Sequence, residues 1–274
     1  MDPAGDALDR ELLDIKKAFN RLVERLDGLP TGLRDKVQGS FTQRLFDRPV
    51  RVDTPRGMLS FVALGKIAAG RANAVLTKQP ATIAWIDAFA PGSVFWDIGA
   101  NIGVYTLYAA LREDVRVVAC EPAAVNYFQL AANCEINGID RRVDCLPIGV
   151  GRSAALARIG VSQFAPAASF KFQTADDAAS PEQPAIVLSI DQLVQDFGLP
   201  CPNYLKIDTP GSTEAVIEGA ARTLRRADVR EVHIELREHS RSGQQLLATM
   251  ADCGLTVGSR HPHGDSADLT LVRR

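Results

Sequence analysis

The sequence has no Cys-x-x-Cys pair, no long apolar run and almost no net charge, and each absence removes a class of protein. Its five cysteines, Cys120, Cys134, Cys145, Cys201 and Cys253, are widely spread. An odd number of cysteines without metal-ligand spacing fits reduced thiols in a cytoplasmic protein and argues against a disulfide framework. No stretch reaches the ~20 apolar residues of a membrane span. The opening MDPAGDALDRELLDIKK carries charges where a signal peptide needs an apolar core. Lys and Arg number 31 against 33 Asp and Glu, a net charge of −2, so the bulk electrostatics offer no footprint for nucleic acid or an anionic membrane. The expectation is a cytoplasmic protein with neither partner.

What remains is an ordinary globular composition. Of 274 residues, 46% are hydrophobic and 23% charged, enough to bury a large α/β core. Leu8, Leu12, Ile15, Phe19, Leu22 and Leu26 alternate spacings of four and three. This predicts one helical stripe ending at Gly28-Leu29-Pro30. The stripe suits packing on its own domain, and as a heptad seam it also suits a homodimer with a second copy. Val50–Val52 and Met58–Phe61 flank a Pro/Gly turn and read as a hairpin, and a helix follows over Pro80–Phe89.

From Val94 the pattern alternates between short apolar strands and helices. Strands are expected at Val94–Asp97, Val115–Cys120, Val143–Ile148, Tyr204–Asp208, Val232–Leu236, Leu255–Val257 and Leu269–Val272. Helices are expected at Gly103–Leu111, Ala123–Asn137, Thr213–Arg225 and Gln244–Cys253. Strands buried on both faces and joined by helices imply an α/β fold with a mostly parallel, doubly wound sheet. The domain reading is an N-terminal amphipathic arm at 1–30, a hairpin and helix at 31–92, and a ligand-binding domain at 93–274. Val161–Pro184, rich in Ala, Ser, Gln, Asp and Pro, reads as a long loop.

The chemistry concentrates at two strand ends. The strand Val94-Phe95-Trp96 runs into Asp97-Ile98-Gly99-Ala100-Asn101-Ile102-Gly103 and then a helix. Ligands of open α/β sheets bind at such carboxyl ends. Glycines allow a tight turn and a close ligand, Asp97 can act on an amino group directly or by ordering the loop, and N–H groups at the helix start can hold a carboxylate. The next strand ends at Glu121-Pro122, where a carboxylate is placed to accept two ribose hydroxyls. Together these fit S-adenosylmethionine (SAM). A dinucleotide site would need Gly-x-Gly-x-x-Gly, absent here, and Asp97 would repel a pyrophosphate. The donor site is assigned to Asp97, Gly99, Ala100, Asn101, Gly103 and Tyr105 from the first turn, with Glu121, Pro122 and Asn126 from the second.

The ordered set VFWDIGANIGVYTLYAA, CEP, Asn126–Leu130–Asn133–Asn137-Gly138, IDQLV, and LKID with Gly211, Glu214, Val216 and Gly219-Ala220 resembles the FkbM family of methyltransferases, over roughly Lys78–Glu238. The resemblance implies a Rossmann-like class I, SAM-dependent enzyme acting on a hydroxyl of a sugar, polyketide or similar small molecule or glycan. The chain departs from the usual family pattern at Gln79-Pro80, where Glu-Pro is common, and at Asp208-Thr209-Pro210-Gly211, where an acidic or amide residue precedes the glycine. The alternative reading is a SAM-binding scaffold or sensor with little transfer.

An alcohol is a poor nucleophile and benefits from a base or a metal. Lys206 and Asp208, two apart on one strand, share a face; Asp208 is the candidate proton acceptor or cation ligand, and Lys206 either assists it or pairs with it. On the next strand His233, Glu235 and Arg237 share a face, and Glu235, nearest the carboxyl end, is the third catalytic candidate. His233 reads as a satisfied interior residue. His261-Pro262-His263 reads as a solvated loop lacking further ligands, so no metal ligand is assigned and nothing in the sequence requires a divalent ion. Nucleic-acid methylation is disfavoured: no Asp-Pro-Pro-aromatic run follows Tyr204–Asp208, and Pro200-Cys201 precedes that strand.

Overall fold

The computed structural model describes residues 3–160, 167–172 and 182–274. Most of the predicted loop Val161–Pro184 lies outside the described residues. The chain forms two units, residues 1–49 and 50–274. The segment read from sequence as 31–92 is therefore shared between them. Its first helix belongs to the N-terminal unit, and its hairpin joins the larger unit because Leu59 and Phe61 are buried in that unit's core.

The N-terminal unit comprises α1 (Pro3–Asp27) and α2 (Thr31–Phe46), broken at Gly28-Leu29-Pro30. On the predicted stripe Leu12, Ile15 and Phe19 are exposed, Leu22 and Leu26 half-buried, and the side chain of Leu8 lies outside the described ones. Packing on its own domain therefore does not cover the outer half of the stripe.

The larger unit begins with the predicted hairpin, β1 (Val50–Thr54) and β2 (Gly57–Phe61), followed by α3 (Lys66–Asn73) and α4 (Pro80–Asp87). Then come β3 (Val94–Ile98), α5 (Val104–Ala110), β4 (Arg116–Cys120), α6 (Ala124–Ile136) and β5 (Val143–Leu146). A second, smaller sheet is built from β6 (Gly149–Val150), β7 (Ala155–Gly160), β8 (Lys171–Phe172) and β9 (Glu182–Leu188). The chain continues through α7 (Ile190–Gln195), β10 (Tyr204–Ile207), α8 (Thr213–Glu218), a 3-10 turn at Thr223–Arg225, β11 (Glu231–Leu236) and α9 (Arg241–Asp252). It closes with β12 (Leu255–His263) and β13 (Ser266–Arg273).

The main sheet runs β12-β13-β11-β10-β3-β4-β5. The five strands from β11 to the edge strand β5 are parallel, and β13 inserts antiparallel between β11 and β12. The chain starts at β3, builds outward through β4 and β5, then returns to lay β10 on the other side of β3. That reversal opens a crevice at the carboxyl ends of β3 and β10, the standard ligand position in such sheets. Alternation along each strand feeds two cores. Phe95, Val117 and Tyr204 pack under the hairpin and α3–α6, while Trp96, Val118 and Leu205 pack under α7–α9.

Two expectations are corrected. The stretch around His261-Pro262-His263 is not a loop: β12 continues to His263, its N–H and C=O groups paired with β13 through Ser266. The predicted helix over Thr213–Arg225 is α8 followed by the separate 3-10 turn. In the second sheet β7 alternates only weakly in burial, whereas β9 alternates regularly.

Candidate active site

The β3–α5 turn is shaped by backbone constraints. Gly99 has φ +82°, and a Cβ there would lie 2.2 Å from the carbonyl oxygen of Asp208. Only glycine lets the tips of β3 and β10 come this close. Asn101 is left-handed (φ 54°) and accepts the N–H of Ile102 with its own side chain, 3.0 Å, a local closure typical of asparagine. The N–H groups of Gly99 and Ala100 both reach the carbonyl of Cys120, and that of Gly103 reaches the carbonyl of Ala100. The five turn N–H groups from Gly99 to Gly103 are thus all engaged within the protein.

Asp97 is fully buried. Its Oδ2 accepts from Thr106 Oγ1 at 2.8 Å and its Oδ1 lies 3.4 Å from the Lys206 ammonium. It acts by ordering the turn and helix α5, and its side chain does not face the pocket. Lys206 is equally buried, 3.4 Å from Asp208 and 4.9 Å from the centre of the Tyr105 ring. Burial alone would lower its pKa, but Asp208 and Asp97 outweigh that and raise it, so Lys206 is a permanent ammonium and no base. The side chain of Asp208 is 36% exposed. Burial pushes its carboxyl up, yet Lys206, Lys78 and Arg71 together hold it below the usual range, so it is a carboxylate at neutral pH.

Glu121 stands at the tip of β4. Its two oxygens accept the N–H groups of Asn101 and Ala123, each at 2.9 Å. Burial raises its carboxyl to about 7 against those two bonds. It lines a cavity with Gly99, Asn101, Pro122 and Asn126, closed on the far side by Arg71, Phe170 and Asp208. The structure thus gathers five of the nine predicted donor residues around one space. Asp97, Ala100, Gly103 and Tyr105 stand behind it. Tyr105 points the other way, donating its hydroxyl to Gln79 Oε1 at 2.5 Å.

The free space is about 60 Å3, because Ala167–Phe170 lies across it. Ala167 N donates to Asn126 Oδ1 (2.7 Å), and both Asn101 and Asn126 donate to the Ala168 carbonyl (3.0 and 3.1 Å). Arg71 clamps the same segment through Ala167 O and Ser169 Oγ. The side-chain amides predicted to grip the donor therefore grip a backbone segment. Ligand sites run to roughly 300 Å3 or more, so the space left beside this segment is small for an adenosyl group. The acidic and amide groups present otherwise suit one.

Sequence reasoning missed Arg71, Thr106 and Lys78. Thr106 sits three residues past the predicted turn on the exit helix and was findable as a strand-facing hydroxyl; Arg71 and Lys78 come from helix α3 and the loop after it, which carried no signal. The amides on and just past α6, Asn133 and Asn137 of the resemblance set together with Gln129, have a structural task. Gln129, Asn133 and Asn137 accept the N–H groups of Leu64, Val62 and Ser60, and Asn133 donates to Ile102 O. They lock hairpin and donor turn to one helix. His233, held between Thr82 and Thr270 at 3.0 Å and stacked on Trp85, is pushed by burial down to about 3. It is a neutral interior residue.

Asp208, Thr209 and Pro210 also wall a second cleft, shared with Glu235, Arg237 and Ser266. One carboxylate thus stands between the two spaces.

A sheet wound outward from β3, an antiparallel last strand slipped between two others, and a buried acid-turn-acid arrangement at its switch point define a class I, SAM-dependent methyltransferase. The model of the methyltransferase FkbM domain matches residues 97–256, more than half of the chain. The chain belongs to the FkbM methyltransferase family. It is 27% identical over 198 residues to 31-O-demethyl-FK506 methyltransferase FkbM of Streptomyces tacrolimicus, covering 61% of this chain and 74% of that protein. Among solved structures it is similar to methyltransferase FkbM of Methylobacillus flagellatus (15% identity, TM-score 0.46), covering 88% of this chain and 60% of that one. It is also similar to TrmK of M. capricolum bound to S-adenosylhomocysteine (11% identity, TM-score 0.45, 73% and 70% covered). The chain therefore spans less than two thirds of the Methylobacillus protein. Among the described residues no helix is long and apolar enough to cross a membrane.

Proposed function

We propose that the protein methylates a hydroxyl oxygen of a small molecule, sugar or polyketide-like metabolite. The observation that carries this reading is Asp208, an ionised carboxylate on the wall common to the donor cavity and the acceptor cleft. A hydroxyl in the cleft can donate to it while facing the donor. The S. tacrolimicus relative, whose name records methylation of an oxygen, supports the same choice of nucleophile.

SAM, when bound, supplies a methyl group on a sulfonium. The protein's part is positional. Glu121 binds the ribose hydroxyls from the tip of β4, and the Gly99–Gly103 turn, held by Asp97 and Thr106, sets the floor. Asp208 orients the acceptor hydroxyl and takes its proton as the new C–O bond forms and the C–S bond breaks. Lys206 keeps Asp208 ionised and in place. Glu235 lines the cleft and contacts the acceptor.

The direct test is calorimetric titration with S-adenosylhomocysteine. Glu121→Gln is expected to weaken binding by ~1–3 kcal/mol, the range for losing a charged hydrogen-bond acceptor. Because burial lifts this carboxyl to about 7, wild-type affinity should rise as pH increases from 6 to 8, and the variant should lose that rise. Wild type that binds no S-adenosylhomocysteine sinks the assignment. The exposed apolar stripe of α1 also supports self-pairing. Light scattering should give twice the chain mass, reverting to one chain in Ile15→Lys/Phe19→Lys; a monomeric wild type ends that idea.

A further inference from the structure

We infer that Glu235, His263 and Asp268 form a binding site for one divalent metal ion. One ligand atom from each lies within 4.8 Å of those of the other two. Atoms bound to a common ion at ~2.0–2.2 Å stand up to about 4.4 Å apart, so small rotations of the two exposed side chains complete the set. Asp268 is the fixed member, only 5% exposed on a strand whose neighbours are apolar.

Two features call for a cation here. Glu235 and Asp268 are paired directly across β11 and β13, so they share a face, and like charges directly opposite destabilise a sheet unless something neutralises them. Among the described residues, Asp268 makes its hydrogen bond to His263, at a long 3.3 Å. One imidazole is a thin supply of partners for a buried carboxylate. The register explains why the three meet. His263 is the last residue of β12, at the hairpin turning through Gly264, and its strand pairs with the same β13 that presents Asp268 to Glu235. Three strands of one sheet thus bring the three side chains together before any ion arrives.

Two carboxylates and one imidazole suit a borderline ion of the Mn2+, Co2+ or Zn2+ class better than a soft one. Three protein ligands leave coordination positions open, and Glu235 also lines the cleft beside Asp208. An acceptor oxygen in that cleft can fill one of them; this role rests on the methyltransferase reading, whereas the site itself does not. His263 and Asp268 lie beyond residue 256, where the family match ends, while Glu235 lies within it.

The test uses the full chain stripped with EDTA and titrated with Co2+, followed by visible absorption, with Mn2+ calorimetry for stoichiometry. One ion per chain is expected. His263→Ala should bind at least tenfold more weakly while keeping wild-type S-adenosylhomocysteine affinity, and Glu235→Gln, at an equally exposed position, should weaken the metal similarly. Wild type that binds neither ion at millimolar concentration overturns the proposal, as does unchanged metal binding in both variants. Metal binding without S-adenosylhomocysteine binding would leave the site standing and remove the donor-site reading; the reverse result would do the opposite.

Discussion

Asp208→Asn is expected to lower kcat by about a hundredfold to ten-thousandfold, the range for removing a positioned proton acceptor, with S-adenosylhomocysteine affinity within about threefold of wild type. Asparagine keeps the shape and can still accept a hydrogen bond, so the acceptor remains seated. What is lost is the negative charge that draws off the hydroxyl proton. The pH profile separates this role from a structural one. Lys206, Lys78 and Arg71 hold Asp208 below the ordinary carboxylate range, against its burial, so kcat at saturating SAM should stay level down to about pH 4. The variation near pH 7 belongs to Glu121 and should appear in donor affinity alone. A variant that retains more than a tenth of wild-type kcat removes Asp208 from the chemistry.

Lys206→Met is expected to cost ~3–5 kcal/mol of stability, because it leaves a buried carboxylate without its counter-charge. Asp97 is 0% exposed, and Lys206 at 3.4 Å is the cation facing its Oδ1. For a unit of this size the loss corresponds to roughly 10 °C in Tm, at about 2–4 °C per kcal/mol. The double variant Asp97→Asn/Lys206→Met should lose clearly less than the two single losses added together, since it buries no lone charge. A single-variant loss below about 1 kcal/mol, measured by urea unfolding, would mean that Asp97 is neutralised some other way. Activity is a second readout: without the ammonium, Asp208 should titrate nearer the ordinary range, and the acid limb of kcat should move upward.

The two predictions concern one polar row across the sheet. Asp97, Lys206, His233 and Thr270 stand side by side in register on β3, β10, β11 and β13, on the face covered by α4 and α5. The next rung toward the carboxyl ends brings Glu235 opposite Asp268. The lower rung is sealed and fixes geometry, and Glu235 of the upper one lines the second cleft. Gln79, a departure from the usual family pattern, receives the Tyr105 hydroxyl. An amide oxygen accepts that bond as well as a carboxylate would, so the substitution keeps the contact and removes a charge.

Much of this was legible in the chain itself. The spacing from Asp97 through Gly103 to Glu121 sufficed to place a glycine turn between β3 and α5 and an acidic tip on β4, because turn chemistry and strand ends depend on residues close in sequence. The alternating strands and helices, and the shared face of Lys206 and Asp208, followed from period alone. Other features depended on groups far apart in the chain. Whether Asp97 meets a ligand or a lysine was decided by β10 pairing with β3 across 109 positions of sequence, as Asp97↔Lys206. That the amides of Asn101 and Asn126 hold Ala167 and Ala168 depends on where a segment with no period comes to rest. His263 became a neighbour of Glu235 only through the insertion of β13 between two other strands. Local pattern sets each element and the direction its side chains face; the order in which strands pair sets which charges are brought together, and that order is fixed by the energy of the whole core.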